Sequence, residues 1–247
     1  ATLATCIGSA PPSFSFARAR LGAPGDTREL IVPSPFDYPA RAALYVPRDL
    51  PDPPDPRFEP LAADRIADLI EVTGGGAFVL CTSVRAMRGL HTALAPRLGY
   101  PLLLQGQAPK SLLLSRFRAA GNAVLVATLS FWEGVDVPGR ALRLVILDKI
   151  PFAVPSDPLY QARAAHLERQ GGNPFAQLAV PGAAITLKQG FGRLLRTETD
   201  AGIVALLDKR VVLKGYGKAL LRSLPPARRV ASLDDVRAFW AQVDGVA

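Results

Sequence analysis

The sequence is poor in the residues that most often build metal and redox chemistry. It has two cysteines and two histidines in 247 residues. Cys6 and Cys81 stand far apart, with no CxxC pair and no Cys/His cluster. Neither a disulfide framework nor a structural metal site is therefore expected, and no residue is assigned as a metal ligand. So little cysteine suits a reducing, cytoplasmic setting. No apolar run reaches membrane-spanning length, so no membrane partner is expected. The opening ATLATCIGSAPPSF has no basic region followed by a long apolar core and does not read as a signal peptide. It starts at Ala1 rather than methionine, which leaves processing and a longer parent chain both open.

A complete phosphate-binding loop is missing too. That loop needs GxxxxGK[ST], so that backbone amides and a lysine cradle phosphates. The nearest fragment, LQGQAPKS, has Leu104 and Pro109 at the glycine positions, and proline has no N–H to offer. LVILDK imitates a strand ending in a magnesium-binding aspartate, but Lys149 stands where a catalytic acid would follow, so Asp148 reads first as a structural strand-end residue. A Ser–His–Asp triad has no nucleophile-elbow context here. By itself the chain shows no hydrolytic machinery.

What is present is a large apolar fraction and a basic surplus. Hydrophobic residues make up 49%, enough for one substantial core. Twenty-nine Lys and Arg oppose 21 Asp and Glu, a net charge of +8 that favours a polyanionic partner, nucleic acid first. Residues 1–60 form an irregular, Pro/Gly-rich entry segment with short extended pieces in ELIVPSPF and AALYVPRDL. DLPDPPDPRFEP is a stiff proline-dense loop leading into a helical pattern. Apolar runs then alternate with helical patterns: AFVLCTS, YPLLLQG, AVLVATLS, LRLVILDKIPF and AGIVALLDKR read as strands. An excursion over 156–180 with one helical piece interrupts them, and SLDDVRAFWAQV closes the chain as a helix. Continuous apolar strands alternating with helices predict an α/β fold, a mostly parallel sheet with helices on both faces. Functional residues of such folds gather at the carboxyl ends of strands.

Two stretches stand out. AAITLKQGFGRLLR predicts one helix, with Gln189, Arg193 and Arg196 close together on a polar face despite Gly190 and Gly192. VATLSFWEGVDVPG places hydroxyls and carboxylates after a strand, either as a plain loop with buried aromatics or as a phosphate or ribose site. With FVLCTS before them, these pieces occur in the order of motifs IV, V and VI of superfamily 2 helicases. The wording SFWEGVDVPG…LDKIPFAVPSDP…LKQGFGRLLRT resembles the DinG branch, related to XPD, from about Ala77 to Arg210. The opening ATL is similar to the end of motif III, which closes the first motor domain in that family.

The resemblance implies that residues 1–247 are the second RecA-like motor domain of an ATP-dependent helicase moving 5′ to 3′ on single-stranded DNA, with a role in DNA repair. The excursion 156–180 then matches the family's insertion before motif VI. Gln189, Gly192, Arg193 and Arg196 fill motif VI, and the arginines become fingers on the nucleotide, a task suited to an always-ionised bidentate group. Glu133, Gly134 and Asp136 face the same nucleotide. Thr128 and Ser130 of motif V, Thr82, Ser83 and Arg85 of motif IV, and Gln105 hold DNA phosphates, contacts that carry no sequence information and so permit stepping. Phe131, Trp132 and Phe152 are candidates to stack bases, with burial in the core the stronger reading for Trp132. ATP and Mg2+ would be bound mainly by a first motor domain outside this sequence. An iron–sulfur cluster, where relatives carry one, would also lie outside it. The expected partners are single-stranded DNA and that first domain. The competing reading is a non-catalytic module that binds single-stranded nucleic acid through its basic surface.

Overall fold

A computed structural model describes residues 14–32, 34–132, 135, 137, 139–192 and 194–244, apart from the Trp132 side chain. The chain divides into two compact units. The larger comprises Pro35–Ile150, Gly190–Lys209 and Pro226–Ala247; the smaller comprises Ala1–Ser34, Pro151–Gln189 and Arg210–Pro225.

In chain order the elements are α1 (Ser15–Leu21), α2 (Tyr38–Arg41), β1 (Ala42–Tyr45), α3 (Phe58–Thr73), β2 (Ala77–Cys81) and α4 (Val84–Leu94). Next come β3 (Leu102–Leu104), α5 (Lys110–Ala120), β4 (Val124–Thr128), β5 (Leu144–Leu147), α6 (Pro158–Arg169) and α7 (Val180–Phe191). The chain ends with β6 (Gly202–Leu206), α8 (Arg210–Leu213), α9 (Gly217–Ser223), β7 (Arg228–Val230) and α10 (Leu233–Asp244).

The seven strands form one sheet in the order β3-β4-β2-β5-β6-β1-β7, with every described pairing parallel. Of the five interior strands, β1, β2, β5 and β6 are buried at every position and β4 at all but Thr128, as their apolar runs require of a sheet covered on both faces. Val79, Ile146 and Ile203 face a core built with Ile66 and Ile70 of α3, Leu90 and Leu94 of α4, and Phe239 of α10. On the other face Phe78 meets Phe117 of α5 at 4.5 Å between ring centres. The edge strand β7 exposes Arg228 and Arg229, charges that discourage pairing with another sheet.

Local chemistry fixes the turns. Gly74, Gly75 and Gly76, at φ 64°, 81° and 63°, carry the chain from α3 into β2. A Cβ at Gly75 would stand 2.1 Å from the Asn122 carbonyl oxygen, so no other residue fits that turn without movement. Arg143 ties two helix ends together, donating to the Gly74 carbonyl at 2.9 Å and the Gly121 carbonyl at 3.2 Å. Ser232 accepts from Asp235 N–H while the Asp235 carboxylate accepts from Ser232 N–H, a reciprocal cap that starts α10.

Three expectations change. Of the two short extended pieces expected in the entry segment, AALY is an interior strand of the sheet, whereas no strand forms in the described part of ELIVPSPF. Arg228–Val230, unforeseen, pairs with β1. The helix carrying KQGF stops at Phe191 rather than running through Arg196.

Candidate functional site

In a parallel sheet all carboxyl ends lie along one edge. Gln105, Thr128 and Thr82 follow the adjacent strands β3, β4 and β2 there. Gln105 joins two of these strand ends: its Oε1 accepts from Thr128 N–H at 2.7 Å and from Thr128 Oγ1 at 3.0 Å. Ser130 Oγ lies 2.9 Å from the same threonine oxygen. The three candidates are thus one hydrogen-bonded cluster, with Ser130 exposed and the other two half-buried.

Thr82 and Ser83 begin the next part of the edge. Asp148, at the end of the neighbouring β5, takes Thr82 N–H at 2.9 Å and the Thr82 hydroxyl at 3.3 Å. Its carboxylate is 1% exposed, and burial pushes its pKa up to about 6, against the opposing pull of Lys149 and of backbone N–H donors from Thr82 and Lys149. Asp148 is therefore a positioning group for Thr82, in keeping with its reading as a strand-end structural residue. Ser83 is the N-cap of α4, accepting from Ala86 N–H at 3.1 Å. Its side chain is exposed, as is that of Arg85.

Gln189 and Arg196 do not share one helix face, because the helix ends between them. Val180, Ala183, Ala184, Leu187 and Phe191 form the buried stripe of α7, and Gln189 is exposed on that helix. Beyond Phe191 the Leu194 N–H closes a turn on the Phe191 carbonyl at 3.2 Å. Asp200 then accepts from Arg196 N–H at 2.8 Å and Thr197 N–H at 2.9 Å. Two glycines weaken the helix, and a carboxylate offers its backbone donors another acceptor; together they end it. Arg196 consequently lies on the turn before β6. There the Leu194 side chain stands 2.6 Å from where a Cβ on Gly202 would project. Arg196 Nη2 reaches the Val135 carbonyl at 3.4 Å, which brings the two motif segments together.

This places Arg196 at the amino ends of the strands, across the sheet from Thr82 and Thr128. A five-residue strand rises roughly 3.3 Å per residue, so the two edges are about 15 Å apart. Arg196 thus lies away from the carboxyl ends at which functional residues were expected to cluster, whereas Thr82, Gln105 and Thr128 lie at them. Arg193, Glu133, Gly134 and Asp136 lie outside the described residues, as does the ATL opening. Gly192 follows α7 and is half-buried. Phe131 is 5% exposed, with Lys110 Nζ 5.1 Å from its ring centre, which removes it as a base-stacking platform. In the smaller unit, Phe152 meets Phe175 at 5.4 Å and Tyr216 at 5.7 Å in a mutually tilted aromatic trio. Asp200 and Lys149 escaped the sequence reading. The signal for Lys149 is the triplet LDK, which ends β5 and recurs as Asp208-Lys209 after β6.

The sequence pattern described as the helicase C-terminal domain matches residues 66–227. This chain belongs to that family. The ATP-dependent DNA helicase YoaA of Escherichia coli (strain K12) is 46% identical over 212 residues, covering 86% of this chain and 33% of the relative. ATP-dependent helicase DinG of Mycobacterium tuberculosis (strain ATCC 25618 / H37Rv) is 42% identical over 229 residues, covering 92% of this chain and 34% of the relative. The chain thus spans about a third of the length of these curated relatives. Among solved structures, an XPD helicase aligns over 78% of this chain and 36% of its own with TM-score 0.57 and 23% identity, a likeness of fold. The helicase C-terminal domain is here a RecA-like fold, and no helix among its described residues is long and apolar enough to cross a membrane.

Proposed function

We propose that this chain is the second motor domain of a DinG-type, ATP-dependent 5′–3′ DNA helicase. The observation that carries the reading is the division of candidate residues between opposite edges of one sheet. A hydroxyl and amide row (Thr82, Ser83, Gln105, Thr128, Ser130) lies on the carboxyl edge, and Arg196 lies on the other, tied to Val135. The row suits contact with a DNA backbone, where phosphates position the strand without reading its sequence. Arg85 adds charge beside it.

Arg196 and Arg193 supply positive charge to a nucleotide held mainly by a first motor domain, with Glu133, Gly134, Asp136, Gln189 and Gly192 around it. Asp200 fits this role for Arg196, because it fixes the backbone from which the guanidinium projects. ATP with its Mg2+ would supply the phosphoryl chemistry, and this chain the charge that meets it across the cleft. Without a phosphate-binding loop of its own, the chain alone hydrolyses no ATP. The names of the relatives, both ATP-dependent helicases, support the same reading.

The test is DNA-stimulated ATP hydrolysis by the full-length protein. Arg193→Ala and Arg196→Ala should each lower turnover about a thousandfold, the usual scale for an arginine finger. Undiminished turnover in both would remove the assignment.

A further inference from the structure

The proline-dense stretch after Leu50 has no role in the motor motifs, yet it walls a cavity of about 390 Å3 at the carboxyl edge of β2 and β5. Pro53, Pro54 and Pro56 form one side; Ser83, Arg85 and Lys149 lie around the rest. The volume falls within the ~300–1,000 Å3 of small-molecule sites. The wall is preformed. Proline fixes its own φ, Asp55 holds Arg57 through Nε at 3.1 Å and Nη2 at 2.8 Å, and Lys209 approaches Asp52 at 3.9 Å. A rigid wall loses little freedom when something binds against it.

The charges that line the cavity sort simply. The Asp55 carboxylate is committed to Arg57. Glu59 is packed over α4, its Oε1 filling the notch left by Gly89, 1.9 Å from where a Cβ would stand. Asp148 is buried and holds Thr82. Two cations remain. Lys149 Nζ sits 5.7 Å from the centre of the Phe58 ring, and Phe58 is 3% exposed, so the ring is a floor beneath the ammonium. Among the described residues neither Lys149 nor Arg85 makes an ion pair. A concave site with a stiff apolar wall and two cations outside any described ion pair, next to Thr82 and Ser83, matches one nucleotide of a single strand.

We infer that this cavity receives one unstacked nucleotide, its base against the proline wall and a flanking phosphate between Lys149 and Arg85. The inference rests on the reading of the carboxyl edge as the DNA track. It adds a grip that phosphate contacts lack, because a base that must leave a cavity makes movement along the strand discrete.

The experiment is equilibrium binding of the full-length protein to oligothymidylate, with a single abasic site scanned through its positions. At one position the abasic site should weaken binding about tenfold, the scale of a lost base contact. Pro53→Gly/Pro54→Gly should reduce that penalty below about threefold. Lys149→Gln should lower the slope of log affinity against log salt by about one. A flat scan with salt-dependent binding intact overturns the base pocket and leaves the track standing. A penalty unchanged in the glycine variant places the base elsewhere, and an unchanged slope in Lys149→Gln removes the cation; either overturns the proposal. Absence of salt-dependent binding overturns the track itself.

Discussion

Replacing the Asp148 carboxylate by an amide, in Asp148→Asn, should flatten the acid limb of stability in a way that can be worked out from its surroundings. The carboxylate is 1% exposed, and burial raises its pKa from 3.8 to about 6. Between those values the folded chain holds a proton that the unfolded chain has already released. Stability from this group is therefore complete below the lower value and is lost as pH rises through the upper one. The shift is roughly two units at about 1.4 kcal/mol each, so the loss is about 3 kcal/mol. The substituted amide does not titrate. Other carboxylates are common to both chains and cancel in the difference. Urea unfolding of both proteins at pH 4, 5, 6 and 7 should show the wild type losing about 2 kcal/mol relative to Asp148→Asn across the series, the rest of the loss lying below pH 4. The amide keeps one acceptor for Thr82, so any pH-independent cost displaces the whole difference without tilting it. A difference that stays constant from pH 4 to 7 would refute the argument, because it would mean that the carboxylate is ionised at little cost in the fold.

Asp200→Ala should loosen the turn that carries Arg196 and lower DNA-stimulated kcat of the full-length protein about tenfold with little change in the KM for DNA; Asp200→Asn, which keeps an acceptor, should restore most of it. In the isolated chain Gly75→Ala should cost about 3 kcal/mol by urea unfolding, because positive φ and the Asn122 carbonyl both oppose a Cβ, whereas Gly106→Ala, with φ 96° and open space, should cost about 1 kcal/mol. Cys81 is buried and its thiol pKa is raised by burial, so in a Cys6→Ser background iodoacetamide should label it only under unfolding conditions, followed by mass spectrometry.

Interior strands β2, β4, β5 and β6 are legible because each is an unbroken apolar run, while the four-residue β1 reads only as an extended piece of a Pro-rich segment. The edge strand β7 is not legible: Arg228 and Arg229 have no strand signal of their own, and pairing with β1 decides their conformation. The end of α7 was misplaced for a related reason. Its apolar spacing continues through Leu194 and Leu195, both buried, but the acceptor that draws the backbone out of the helix is Asp200, beyond the pattern. Thr82, Gln105 and Thr128 could be chosen from their place at strand ends. That Gln105 binds Thr128, and that Asp148 binds Thr82 from 66 residues away, depends on strand order, which no local pattern reports. Lys149 carries no local signal of a binding role, because the prolines that share its cavity belong to a distant segment.

The link between Arg196 and Val135 has a mechanical consequence. Val135 is itself seated in the core at 1% exposure, so its carbonyl is a fixed point for the Arg196 guanidinium. A displacement of that side chain would work against an anchored backbone group, as a lever works against its fulcrum.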